Sequence, residues 1–164
     1  MAVRMAAMRW IGGLLLGLLL AQAAGTAQTP VVLIEFCDLL KNPDRYDGKE
    51  VTVRASHRYG FEWTYLYCLA CKEDGQVWFD VSDDIDSATE RSLQAAHHKG
   101  AGIVNLAVTG VFKTGGRYGH QSSHRHKFIV RKAWDVVVLS KGMKDPAKEK
   151  EIEAKWACGG ANPK

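Results

Sequence analysis

Long apolar runs are scarce in this 164-residue chain. Only one is long enough to matter, and it lies at the N-terminus. That excludes a multi-span membrane protein, in which every helix needs about 20 apolar residues. The signatures of common catalytic machineries are missing as well. There is no G-x-S-x-G elbow, no Walker-type glycine loop and no H-E-x-x-H helix, so no nucleophile constellation or zinc-protease site stands out. Internal repeats and linker-like stretches are absent, and the length allows one domain of ordinary size. Charge and aromatics are plentiful. A 24% charged fraction with five Trp, five Tyr and five Phe excludes a disordered or low-complexity chain.

The N-terminal run has the three-part layout of a secretory signal peptide. Arg4 and Arg9 give a positive start, Trp10 to Leu20 is an 11-residue apolar core, and small residues follow in AQAAGTAQ. Cleavage fits after Ala23 or after Ala27. The second is preferred because it leaves Thr29-Pro30 as a short polar leader. An uncut anchor is the rival, but the run is shorter than a spanning helix needs. Removing residues 1–27 takes out two arginines and no acid. The remaining 20 basic and 18 acidic residues carry a net charge of +2. Such a near-neutral domain has no nucleic-acid signature, and no span remains after cleavage. The expected location is the periplasm or the outside of the cell.

Five strands are expected in the mature chain. Phe36, Leu39 and Leu40 keep helical spacing until Asn42-Pro43 stops them, and Asp47-Gly48 makes a turn. Val51, Val53 and Ala55 then alternate with polar residues as a first, half-buried strand. Phe61–Leu69 reads as the second strand and Gln76–Val81 as the third, with the polar turn Lys72–Gly75 between them. A helix begins at Ser87, with Glu90 completing a capping box, and stops at Gly100. Asp83, Asp84 and Asp86 serve as turn and cap residues before it. Ile103–Phe112 and Phe128–Leu139 are the fourth and fifth strands, joined by the basic connection Lys113–Lys127. Asp145-Pro146, with Ile152 and Trp156 one turn apart, marks a helical tail over residues 141–164.

Three strands, a helix and two strands is the element order of a mainly β, five-stranded Greek-key barrel of the OB-fold type, here with short terminal helices. An α+β domain with an open sheet is the alternative. The segment Leu39–Arg54 (LLKNPDRYDGKEVTVR) and the later RYGH of Arg117–His120 resemble small bacterial envelope proteins predicted to be OB-fold domains. The resemblance covers most of residues 35–140 and implies that fold and an envelope location. It brings no catalytic residues.

Three groups of residues could carry chemistry. Cys37, Cys68, Cys71 and Cys158 form an even set suited to disulfides, with three pairings open. A Cys37–Cys158 bond would staple the two terminal helices together. Cys68-x-x-Cys71 would suit redox or metal chemistry only if a helix followed and acids did not, and Glu73 and Asp74 do follow. His120, His124 and His126 lie within seven residues, and in an extended segment the last two share a face, as metal ligands would. Arg117, Arg125 and Lys127 around them oppose a cation and favour an anion. His97 and His98, adjacent on a helix, cannot share a ligand face.

The third group is aromatic. Phe61, Trp63, Tyr65 and Tyr67 share one parity on the second strand, either as core or as a stacking face. Trp78 has the opposite parity to Val77 and Phe79, and so faces outward if those two are core. The expectation is a non-enzymatic binding module without a cofactor. Arg117, Arg125 and Lys127 would hold an anionic glycan or peptide while Tyr118 and Trp78 stack on it. The alternatives are a metal-binding or thiol-redox protein and a structural subunit of an envelope assembly.

Overall fold

The computed structural model describes residues 32–97 and 100–142, together with Glu151 and Cys158. The expected signal peptide and the helical tail at Asp145–Trp156 lie outside the described residues, apart from Glu151. Among the described residues no helix is long and apolar enough to cross a membrane.

A two-residue strand, β1 (Val32–Leu33), leads into α1 (Phe36–Lys41). Phe36, Leu39 and Leu40 bury the helical stripe that their spacing implies. Asn42-Pro43 does end α1, but Pro43 also opens a further turn, α2 (Pro43–Tyr46). Proline fits there because the first helical N–H has no partner to lose.

The strands follow: β2 (Glu50–Tyr59), β3 (Thr64–Tyr67), β4 (Val77–Val81), β5 (Gly102–Lys113) and β6 (His126–Lys141), with α3 (Ser87–Ala96) between β4 and β5. The protein is mainly β. β2 pairs antiparallel with β3, β3 antiparallel with β4, and β4 parallel with β6. β6 then pairs antiparallel with β5, and β5 antiparallel with β2. The five strands thus form a mixed sheet whose hydrogen-bonded pairings close into a ring, with β1 parallel on the free edge of β2. Val53, Leu66, Phe79, Val104, Leu106, Val108, Phe112 and Phe128 make up much of its buried core. Gly110 lies so close to the Ile129 carbonyl that a Cβ there would collide with backbone.

Several expectations need correcting. The second strand is four residues long, because the chain folds into a tight hairpin at Gly60–Trp63, where the Gly60 N–H donates to the Trp63 carbonyl at 2.8 Å. Phe61 sits on that hairpin, 95% exposed, and belongs to no strand face. Tyr65 and Tyr67 keep their shared parity, but the residue buried from β3 into the core is Leu66. Beyond Cys68 the chain forms short 3-10 turns over Leu69–Asp74 rather than a simple polar turn.

The capping box at Ser87 does not form. Asp86 is the N-cap, and its carboxylate accepts from the backbone N–H groups of Ala88 and Thr89 and from the Thr89 hydroxyl. An aspartate one position earlier competes successfully because it satisfies two orphan N–H groups at once. α3 ends at Ala96, before the expected stop at Gly100.

Thr89 ties α3 to the sheet. Its buried Oγ1 accepts the Ala133 N–H at 3.1 Å while donating to Asp86. Thr89→Val keeps the shape and leaves that buried N–H unpaired, so we expect a loss of about 1–3 kcal/mol in denaturant unfolding.

Candidate functional site

The loop between β5 and β6 carries most of the expected site residues. It is held at its base by Asp47, whose carboxylate accepts the Thr114 N–H at 2.9 Å, and by a 2.8 Å bond between Thr114 Oγ1 and His126 Nδ1. Further out its two limbs meet at a single antiparallel bridge. The Tyr118 N–H donates to the His124 carbonyl at 2.9 Å, and the His124 N–H donates back at 3.1 Å. The tip, His120–Ser122, is a single 3-10 turn with Gln121 and Ser122 at positive φ, +53° and +57°. These two residues occupy a left-handed region that costs non-glycine side chains energy.

One limb of the bridge packs onto the sheet through His124. His124 is only 8% exposed, with its ring 5.7 Å from that of Tyr65 and 5.4 Å from that of Trp78. Its Nδ1 pairs with the Ser123 hydroxyl at 2.8 Å, while its Nε2 is buried with no hydrogen-bond partner. Burial pulls the His124 pKa below the usual imidazole value. Trp78 does face away from the buried Val77 and Phe79, but it is not a free platform. Gly119, at φ +76°, lies directly against its indole, and only a residue without Cβ fits there. The loop therefore covers the aromatic surface expected to stack on a ligand.

The cations divide by role. Lys127 puts its ammonium 3.3 Å from the Asp80 carboxylate and 5.3 Å above the Tyr118 ring, so its charge is already partnered. Arg117 and Arg125 are exposed and make no ion pair among the described residues. They flank the Tyr118–His124 bridge on its two limbs. Both are exposed, whereas His124 between them is buried.

The three loop histidines do not converge. His124 packs on Tyr65 and Trp78, His126 stacks on Phe112 at 5.6 Å, and His120 is exposed at the tip. Among the described residues the one cluster with three ligand atoms close together is Cys37, Cys68 and Cys71, and all three sulfurs are in disulfides. The bonds are Cys37–Cys71 and Cys68–Cys158, so the Cys37–Cys158 staple does not exist. The α1 helix places Cys37 over the 3-10 turn that carries Cys71, which pre-empts the tail. Without a thiolate the C-x-x-C is neither a nucleophile nor a metal ligand.

Two features escaped the sequence reading. Inside the ring, His57 is fully buried, stacked on Phe79 with centroids 3.9 Å apart. Its Nε2 pairs with Thr64 Oγ1 at 2.8 Å and its Nδ1 with His97 Nε2 at 3.3 Å. Burial, with the neighbouring His97, drives its pKa well below the usual value. The signal was parity: His57 and Tyr59 continue the inward series Val51, Val53, Ala55. The second feature is a groove of about 680 Å³ between α3 and the far half of β6. Ala88, Ser92 and Ala95, small residues at helical spacing, were its sequence trace.

No family model, no curated protein and no solved structure matches this chain.

Proposed function

We propose that the protein is a non-enzymatic, extracytoplasmic binding module of the OB-fold type that takes an anionic glycan or peptide at Arg117 and Arg125. The fold assignment is supported by the ring of pairings, by the parallel β4–β6 contact and by α3 lying between the third and fourth strands of the ring. Two disulfides suit an oxidising compartment.

One observation carries the functional reading: two guanidinium groups without an ion pair among the described residues sit on the two limbs of the loop, next to the two-bond Tyr118–His124 bridge. Like charges on the two limbs of one loop repel, and an anion between them removes that cost while accepting charge-assisted hydrogen bonds. Lys127 and Trp78 then serve as positioning residues. Lys127 holds Tyr118 against Asp80's side of the sheet, and Trp78 supports Gly119 at the loop's turn.

The test is titration with oligogalacturonate at low salt. Replacing both Arg117 and Arg125 by Ala should weaken binding about tenfold or more and flatten its salt dependence, whereas Lys127→Met should cost less. Equal affinity for the double variant and the parent protein would overturn the reading.

A further inference from the structure

We propose that the β5–β6 loop is a strap which mild acid releases from the outer face of β3 and β4, with His124 as its latch. The inference does not depend on anion binding at Arg117 and Arg125.

The face beneath the loop is aromatic. Tyr65 on β3 and Trp78 on β4 are cross-strand partners. The loop covers them at two points, with Gly119 against the Trp78 indole and His124 against both rings. The two backbone bonds of the Tyr118–His124 bridge close the loop on itself, and neither reaches the sheet. At the tip Gln121 and Ser122 hold positive φ, a cost that the closed form carries and a freed tip relieves.

Proton uptake enters at His124. Its Nδ1 faces the Ser123 hydroxyl, which can accept from the ring as well as donate to it. Its Nε2 is buried without a partner. A neutral imidazole needs only one N–H, whereas an imidazolium donates from both nitrogens. Protonation in the closed form therefore buries an unpaired donor and a charge together. The Tyr65 and Trp78 rings, tilted at 34° and 57°, return only part of the hydration that this charge loses.

The surroundings supply no free carboxylate. β3 contains no acid, the loop from Thr114 to Arg125 contains none, and Asp80 of β4 is taken by Lys127. The charges along the two limbs, Arg117, Arg125 and Lys127, are all positive, and the other titratable groups there are Tyr65, Tyr118, His120 and His126. In the released loop the ring meets water and takes up its proton near pH 6.5. Below that pH the released form binds more protons than the closed one, so acid shifts the balance toward release. The base of the loop behaves differently. His126 Nδ1 faces the Thr114 hydroxyl, which can accept from a protonated ring, so the anchor there survives.

The test follows the isotope-labelled full chain by NMR from about pH 7.5 to about pH 5. The Trp78 indole N–H signal should move, and exchange of the Tyr118 and His124 amides, corrected for intrinsic rates, should speed up about tenfold. Both changes should track the titration of the His124 ring itself, while the signals of Val53 and Val108 in the core stay in place. His124→Phe keeps the packing without a titrating nitrogen and should remove the response. An indole and bridge amides unmoved by pH would overturn the inference. So would a response that survives His124→Phe, or one that comes only with loss of the native Val53 and Val108 signals.

Discussion

Replacing Cys68 and Cys158 together by Ala is expected to cost about 4.5 kcal/mol of stability, and replacing Cys37 and Cys71 about 4 kcal/mol. The estimates follow from sequence separations of 90 and 34 residues, because a cross-link removes more unfolded-state freedom the longer the loop it closes. The two loops interleave, since Cys68 lies inside the 37–71 loop, so the losses together fall short of their sum. A domain of this size has only about 5–15 kcal/mol in total. The doubly reduced protein should therefore be close to unfolding at 37 °C.

Packing adds to the entropic effect. Cys68 and Cys71 are buried in the core cluster, and the sulfurs of Cys37, Cys68 and Cys71 lie within 4.8 Å of one another. Both bonds thus fasten α1, the turn after β3 and the tail at Cys158 to one point. Urea unfolding of the two double-Ala variants measures the effect. Midpoints equal to that of the oxidised parent would refute it.

Acid should weaken the fold well before its carboxylates protonate. An unfolded chain protonates each imidazole near pH 6.5, whereas folded His57 stays neutral to far lower pH. Below pH 6.5 the unfolded state therefore binds more protons. The contribution is fully present above pH 6.5 and falls as pH drops toward the folded value, by up to about 1.4 kcal/mol per pH unit for His57 alone. His97, His124 and His126 are also held below their usual values by burial and act in the same direction, each more weakly.

His57→Leu removes the bonds to Thr64 and His97 and should cost about 2 kcal/mol at pH 7. It should also flatten the stability profile between pH 7 and pH 5 relative to the parent. Urea midpoints at the two pH values separate the effects. A parent equally stable at both would contradict the role given to His57.

Much of this architecture is local and was legible in residue order. Val51, Val53 and Ala55 do face the core, but β2 is not the half-buried strand their alternation implies, since Thr52 and Ser56 at the alternate positions are buried too. Trp78 faces away from the buried Val77 and Phe79 as expected. Phe36, Leu39 and Leu40 carry their helix in their spacing. Non-local choices were not legible in the same way. Alternation in Phe61–Tyr67 runs through a hairpin turn without a break, since aromatic residues are equally at home on a strand or exposed at its end. Asp86 and Ser87 are both good caps, and only geometry chooses between them.

Cysteine spacing does not fix pairing. Cys37 meets Cys71 because α1 lies over the turn after β3, a tertiary fact. The same holds at the candidate sites. Arg117 and Arg125 were visible as cations, but the bridge that joins their neighbours Tyr118 and His124, and the Asp80 that takes Lys127 away, come from the fold. The α3–β6 groove exists because β4 is shorter than β6, a difference in length that no single segment displays.

Anion binding at the β5–β6 loop is tested most directly by a residue-resolved NMR titration of the full chain with oligogalacturonate at low ionic strength. The account predicts shifts centred on Arg117, Tyr118 and Arg125, which shrink as salt is added and vanish when both arginines are replaced by Ala. Shifts centred elsewhere, or shifts at the loop that persist in the double variant, would contradict it.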